Sequence, residues 1–441
     1  MAIIPQQQLF GWEDIERLGD LERLRLVVEH LPDESLMRAL EQQRGRGRND
    51  YPVRAVWNSI LAGVVYEHVS VESLRRELKR NAQLRRLCGF EVVEGEEAVP
   101  PSWAYSRFLA SLMGQMELVE EMFDELVESL REELPGFGRS LAVDGKAVRT
   151  HARPRRRAEQ TRERDGRRDV DADFGEKRSR GVREDGTLWE KVTRWFGYKL
   201  HLVVDAQYEL PVGYEVTRAS CAEQPVAHRL LDELDERHPE LVEGCEHFIG
   251  DKGYDDGKLI RRLWDVHEIK PVIAIRALWG DGEATRVVSG MLDVVYDYKG
   301  TVYCHCPSTG RRSQMAYGGF ERTRGTLKYR CPALHYGFEC AGRALCGVHG
   351  SVRIPLSEDR RVFTPLARSS YRWKGEYKKR TAAERVNSRF DVSFGFERHF
   401  IRGLDKMKLR CGLALVVMLG MALGRVRAHQ REKLRSLVAA A

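Results

Sequence analysis

Three carboxylates stand where chemistry collects. In HFIGDKGYDDGKLI, residues 247–260, Phe248, Ile249 and Gly250 read as a buried strand that runs straight into Asp251. SLAVDGKAV, residues 140–148, repeats the pattern, with an apolar strand ending at Asp144 and then Gly and Lys. In open α/β sheets, ligand chemistry gathers at the carboxyl ends of strands. A third acid, Glu384, lies in GEYKKRTAAERVNSRFD, four residues after Arg380, which follows Tyr377 by three. At 3.6 residues per turn those offsets place an acid, a guanidinium and a phenol on one helix face. Each feature has a plain alternative: Asp251 as a cap for a helix starting near Asp255, and the helix face as a surface ion-pair ladder. Taken together, two strand-end acids and one helix acid suit hard cations, because Mg²⁺ takes a few carboxylates plus water and phosphate oxygens. Two such ions about 3.5–4 Å apart stabilise the entering and leaving oxygens of an in-line phosphodiester displacement.

The elements that must position these acids follow from the periodicity. Residues 1–135 read as helical, with YPVRAVWNSILAGVVYEHV apolar at helical spacing and SVESLRRELKRNAQLRRLCGF opening on Ser70 or Ser73 as an N-cap. MELVEEMFDELVESLREEL, 116–134, is amphipathic and acidic. After the strand ending at Asp144, the Arg-rich run from Arg149 to Arg183 has no apolar stripe and reads as a loop. WFGYKLHLVVDA and LPVGYEVTRAS form a hairpin turning at Gln207 and Tyr208, followed by a helix with Pro225 in its first turn. Then come the strand ending at Asp251, a helix through KLIRRLWDVH and the strand KPVIAIR. That order predicts a mixed α/β sheet with helices on its faces. From about Ala277 to Pro365 the chain breaks into short β-like pieces, and helix returns from about Gly375.

A chain of 441 residues, 42% hydrophobic and 32% charged, is long enough for two or three domains. Its net charge of +7 and clustered arginines favour a polyanionic partner. Arg75, Arg76, Lys79, Arg80, Arg85 and Arg86 load one N-terminal helix with cations, suited to DNA contact or to a solvated face. No segment reads as a secretion signal, and CGLALVVMLGMALG, 411–424, is shorter than a membrane span and reads as a core helix. The expected setting is therefore cytoplasmic, without membrane contact. Nine cysteines point to free thiols or a metal site. Cys304, Cys306, Cys331, Cys340 and Cys346, with His305, His335 and His349 among them, could supply a tetrahedral Zn²⁺ site, although they form no CxxC pair. Buried structural thiols are the alternative. Cys88, Cys221, Cys245 and Cys411 read as core. His201 and His228 read as structural, Asp205 as a hairpin-turn residue, and Asp171 and Asp173 as solvated.

With these motifs in order, the chain resembles the DDE-type transposases of bacterial insertion sequences, in the group with a Y-(2)-R-(3)-E-(6)-K signature. Tyr377, Arg380 and Glu384 match that spacing, but Asp391 stands at the Lys position. Arg385 or Arg389 is the nearest substitute cation. AVDGKAV resembles the strand of the first Asp, FIGDKGYD the motif of the second, WFGYKLHLVVDA the hairpin between them, and residues 70–90 the helical domain found upstream. The resemblance implies an RNase H-like mixed-sheet core in two parts, 136–279 and 366–425. They would be separated by a β-rich, Cys-containing insertion at 280–365, preceded by an all-helical DNA-binding domain at 1–135 and followed by a tail at 426–441. It implies that Asp144, Asp251 and Glu384 hold two Mg²⁺ ions and catalyse cleavage and strand transfer. Tyr377, Arg380, Arg385, Arg75, Arg76, Lys79 and Arg80 would contact double-stranded DNA, both the element's ends and the target. A homodimer assembled on DNA at the bacterial nucleoid is implied as well. A metal-dependent nuclease of the same fold without strand transfer, and an inactive transposase-derived DNA-binding protein, remain open as alternatives.

Overall fold

The computed structural model describes residues 19–45, 50–91, 95–154, 169–183, 185–348 and 350–437. Its N-terminal part is helical: α1 (Glu22–His30), α2 (Glu34–Arg44), α3 (Val53–Val65), α4 (Val71–Arg80), α5 (Ala82–Cys88), α6 (Ser102–Met113) and α7 (Met116–Glu133). Ser70 starts α4 by accepting the Ser73 amide at 3.2 Å, which satisfies one of the donors a helix start leaves open. α3 is apolar nearly all round and buries ten of its thirteen residues, as a helix surrounded by others must.

A six-stranded mixed sheet follows, built from β1 (Ser140–Arg149), β2 (Asp173–Val182), β3 (Leu188–Asp205), β4 (Leu210–Arg218), β5 (His247–Gly250) and β6 (Lys270–Ile273). β3 runs antiparallel to β1, β2 and β4, whereas β5 and β6 run parallel to β1. The connections carry α8 (Glu223–Arg237), α9 (Pro239–Glu243) and α10 (Gly257–Asp265), the last capped by Asp256 through the Lys258 and Leu259 amides. The β3–β4 hairpin turns on Asp205, which is fully buried and accepts the amides of Gly138, Gln207 and Tyr208. It is a turn residue, as its position in the sequence suggests.

The run from Arg149 to Arg183 departs from the loop reading, because its second half is β2, paired residue for residue with Leu188–Gly197 of β3. This ribbon extends past the sheet with both faces in solvent, so no apolar alternation marks it. Cross-strand pairing holds it instead: Trp195 lies against Gly175 and Trp189 against Gly181, where any side chain would collide with the rings. Asp173 is likewise not simply solvated. It accepts the Ser220 amide at 2.8 Å and the Ser220 hydroxyl. Residues 155–168 lie outside the described ones.

The insert forms two small sheets with their own core. β7 (Arg286–Val288), β8 (Met291–Tyr296), β9 (Val302–His305) and β10 (Arg312–Gln314) make one. β11 (Ala316–Glu321), β12 (Thr326–Arg330) and β13 (Ser351–Pro355) make the other, with the short α11 (Pro332–Tyr336) between β12 and β13. Val294, Tyr296, Leu327, Tyr329, Ile354 and Phe363 centre that core. Asp255, fully shielded, ties the insert to the sheet through the guanidinium of Arg361 at 2.6 Å and the Arg276 amide at 2.7 Å.

Three C-terminal helices close the molecule: α12 (Tyr371–Lys378), α13 (Thr381–Ser393) and α14 (Leu404–Arg427). α14 contains the 411–424 run and is long and apolar enough to cross a membrane. It is nonetheless 94% buried over its apolar window, packed among α1, α7 and β4. One continuous core joins the N-terminal helices, the sheet and α13–α14, with Trp57, Leu126, Val143, Phe248, Phe390 and Leu415 all in it.

Candidate active site

The pairing register brings the two aspartates side by side. β1 and β5 are parallel neighbours with Ala142 opposite Ile249, so Asp144 and Asp251 each follow two residues beyond that pair. Adjacent strands lie about 4.8 Å apart. The two acids therefore project from matching points: Asp251 directly follows the end of β5, whereas Asp144 lies within β1, just past its pairing with β5, and the strand runs on to Arg149 rather than ending at the acid as its sequence suggests. Burial pushes the Asp144 carboxyl up to about 6, and the Asp251 charge adds to this. Lys177 of β2 and Arg380 oppose it. Asp251 also accepts the Gly253 amide at 2.7 Å and starts the short 3₁₀ turn Lys252–Tyr254. The capping role and the strand-end role thus coexist in one residue, while the following helix takes its cap from Asp256.

α13 lies across β1 and carries the third acid. Its Asn387 amide donates to Asp144 Oδ2 at 3.2 Å. Glu384 is half-exposed and pairs with Arg380 at 2.7 Å. The Arg380 guanidinium lies 5.9 Å from the Tyr377 ring centre, and that ring stacks on Trp373 at 4.7 Å. Burial raises the Tyr377 phenol, Arg380 opposes this, and Asp251 and Glu384 add to the rise. Tyr377, Arg380 and Glu384 are thereby brought together, with Arg380 in electrostatic reach of Asp144 and Tyr377 of Asp251.

They do not share one helix, however. α12 ends at Lys378 and α13 begins at Thr381, and the joint is closed by Arg380 N to Tyr377 O and Ala383 N to Arg380 O. Such three-residue bonds wind more tightly than an α-helix. Lys379 and Arg380 keep right-handed helical backbone through the joint, so the spacing still gathers the three side chains.

Several neighbours carry no motif in the sequence. Glu223, the first residue of α8, pairs with Lys199 at 3.5 Å, and its carboxylate lies over Gly145 and Gly253. A side-chain carbon at Gly253 would sit 1.8 Å from Glu223 Oε2 and 2.8 Å from Asp251 Oδ1. A side chain at Gly253 would push the Glu223 carboxylate aside, and that glycine is the sequence signal for a third group above the turn. Lys146, two residues past Asp144, pairs with Asp391 of α13. Strand alternation puts Lys146 on the face of Asp144, but no sequence spacing points to Asp391 as its partner.

The other predicted residues lie elsewhere. Arg385 and Arg389 both close on the buried carboxylate of Glu209, at 2.7 and 2.6 Å. They turn away from the acids because Glu209, shielded at a turn with φ of 60°, needs cations. On α4, Arg76 and Arg80 are exposed, the latter paired with Glu77. Arg75 bonds Glu72 and the Pro100 carbonyl, and Lys79 pairs with Glu96 at 3.5 Å. Arg85 is buried on the carbonyls of Leu78 and Lys79. His201 is buried against Thr217 at 3.0 Å and lowered by that burial to about 3, so its ring is neutral. His228 pairs with Asp256.

The oxygen donors Asp144, Asp251 and Glu384 have the chemistry a hard cation takes. Burial, with the Asp251 charge adding to it, raises Asp144, and a bound cation would offset both; Asn387 Oδ1 is buried beside it without a partner among the described residues. Among the described residues, no three carboxylates, imidazoles or thiols already stand close enough to hold an ion, and Glu384 rests on Arg380 instead. The insert cysteines are free thiols. Burial pushes Cys304 up to about 11, with Cys331, Cys346 and Cys340 contributing. Amides point at sulfurs: Val348 at Cys346 at 3.4 Å, Gly342 at both Cys340 and Cys306, and Ser308 and Thr309 at Cys306. His349 lies outside the described residues.

Two family models agree on the family. The model of the transposase DDE domain matches residues 135–419, and that of a second transposase domain (DUF772) matches residues 12–110. The cryo-EM structure of a piggyBac transposase synaptic complex with hairpin DNA aligns over 97% of this chain and 81% of its own. Its identity is 10% and its TM-score 0.37, a likeness too slight to carry an argument. No curated protein sequence matches.

Proposed function

Since the chain belongs to the transposase DDE domain family of insertion sequences, a family of DNA-cleaving and strand-transfer enzymes, we propose that it cuts and joins the ends of its own element with Asp144, Asp251 and Glu384. The observation that carries this reading is the β1–β5 register, which sets Asp144 and Asp251 side by side, while α13, which bears Glu384, is hydrogen-bonded to Asp144 through Asn387. The order β4–β3–β1–β5–β6, with β1, β3 and β4 antiparallel and β5 and β6 parallel to β1, supports an RNase H-like core. Asp144, Asp251 and Glu384 would hold two Mg²⁺ ions, whose bound form supplies Lewis-acid stabilisation of the entering and leaving oxygens. The chain's own groups do the placing. Asn387 holds the Asp144 carboxylate and Arg380 holds Glu384, and Tyr377 and Arg380 would face the strand to be cut. Arg76, Lys79 and Arg80 of α4 would grip phosphates of the bound end, with Arg75 bracing that helix. The working form would be a homodimer on double-stranded DNA in the bacterial cytoplasm.

Replacing Asp144, Asp251 or Glu384 by Ala should abolish Mg²⁺-dependent cleavage of end DNA while leaving end binding largely intact. Normal cleavage by the Asp251→Ala protein would overturn the assignment.

The insert cysteines are proposed to hold one structural Zn²⁺. Hydroxyl and amide donors aimed at Cys306 hold its thiol down to about 7, toward the thiolate that ligates zinc, whereas Cys304 and Cys340 are raised, so binding would have to displace their protons. Zinc would draw Cys304, Cys306, Cys331, Cys340 and Cys346 closer than they now stand, with four of the five as ligands.

A further inference from the structure

α13 and β1 are joined by two polar rungs with matched spacing. Asn387 donates to Asp144 Oδ2 at 3.2 Å, and Asp391, four residues on, takes Lys146 Nζ, two residues on, at 2.5 Å. Four helical residues advance about 6 Å and two strand residues about 6.6 Å. The helix can therefore run alongside the strand with both rungs engaged. On the strand, Asp144 and Lys146 share a face. On the helix, Glu384, Asn387 and Asp391 follow at offsets of three and four and share one too. The second rung is sheltered, with the Lys146 side chain 10% exposed and that of Asp391 27%. Asp391 Oδ1 is buried without a hydrogen-bond partner among the described residues, so losing Lys146 would leave a partly shielded carboxylate without its ion pair.

We infer that Lys146 and Asp391 are positioning residues: their ion pair sets the register of α13 on β1, and so fixes where Glu384 stands relative to Asp144. The cation that the signature places on the helix is supplied here from the strand, and the helix carries the acid. A slip of one helical turn would exchange Glu384 for another side chain beside Asp144. A neutral pair would pack but would not resist that slip, because contacts between apolar side chains lack direction. The inference rests on the transposase reading for its consequence, but the clamp itself is a property of two elements and can be read without catalysis.

The test compares Lys146→Met, Asp391→Asn, the double Lys146→Met/Asp391→Asn and Lys146→Arg with the unaltered protein. Mn²⁺ binding is followed by calorimetry, cleavage of end DNA by gel, and protection of α13 amides by hydrogen exchange. Each single variant should bind Mn²⁺ about 10- to 100-fold more weakly, the range for partners that orient metal ligands, and cleavage should fall with it. α13 should lose protection in both. The double variant should recover part of that protection, because no unpaired charge remains, yet stay weak for Mn²⁺; Lys146→Arg should retain both. Single variants with unaltered Mn²⁺ affinity and α13 protection would overturn the inference. If the unaltered protein neither binds Mn²⁺ nor cuts DNA, the transposase reading fails by itself. α13 protection then decides the clamp: loss in the single variants with recovery in the double supports it, and no change overturns it.

Discussion

Arg380 shows how one side chain can stand in for several ligands. It pairs with Glu384, lies over the Tyr377 ring and offsets the buried charge of Asp144. Burial lowers its own affinity for a proton, but Glu384 outweighs this and raises it, so the guanidinium is a fixed positive charge among the acids. Its fork suits a phosphate oxygen as well as a carboxylate, and a scissile strand laid beside Glu384 would bring such oxygens within reach. Arg380→Ala should therefore weaken binding of cleaved end DNA by about 1.5–3 kcal/mol, the range for a hydrogen bond to a charged group. Lys at that position should restore only part, since a point charge lacks the fork. End-DNA affinity and cleavage, measured beside Tm, separate this from a joint-bracing role. A lower Tm with unchanged DNA affinity and cleavage would confine Arg380 to the α12–α13 joint.

At the scale of elements, the insert is where metal would act as structure. If its sulfurs bind zinc, protein purified without chelator should carry about one equivalent. Chelation should then loosen residues 280–365 more than the sheet, because metal-binding free energy is folding free energy for a small module. Metal analysis finding no zinc would remove that role. The elements also differ in how openly the sequence declared them. Apolar runs ending in Asp144 and Asp251 were readable because a strand buried on both sides is apolar throughout. The Asn387 and Lys146 contacts depend on how α13 lies across β1, over more than 240 residues of chain, and no local spacing encodes that. β2 leaves no such mark for the opposite reason: a ribbon exposed on both faces has no buried face to leave a pattern. The tight joint at Lys379–Arg380 was hidden because both residues keep helical backbone, and periodicity does not register a change in hydrogen bonding.

For the whole molecule, the question is how the helical N-terminal part moves with the sheet. A shared apolar core is one answer, with α14 threading between α1, α7 and β4. A second is the polar seam where α7 meets the end of α8. His238 there is 2% exposed, with Nδ1 2.7 Å from Glu128 and Nε2 3.2 Å from Asp124. Arg237 beside it bonds Asp124 at 2.8 Å and Glu120 at 3.4 Å. A ring with an acid on each nitrogen is best satisfied when both nitrogens donate. Burial alone would lower the imidazole pKa, but hydrogen bonds to Asp124 and Glu128 outweigh it and raise the value above its ordinary one. A histidine raised in the folded state contributes stability that is fully present below its unfolded pKa of about 6.5. That contribution is lost as pH rises through the folded value. His238→Gln keeps a polar group of similar reach but cannot carry the charge. The unaltered protein should therefore melt above this variant at pH 6, and the gap in Tm should narrow as pH is raised past 6.5 and through the folded value. Comparing the two proteins cancels the other buried histidines, His201, His247 and His399, which burial holds low. A gap that stays constant from acid to alkaline pH would mean that the seam is held by Arg237 and packing, with His238 uncharged.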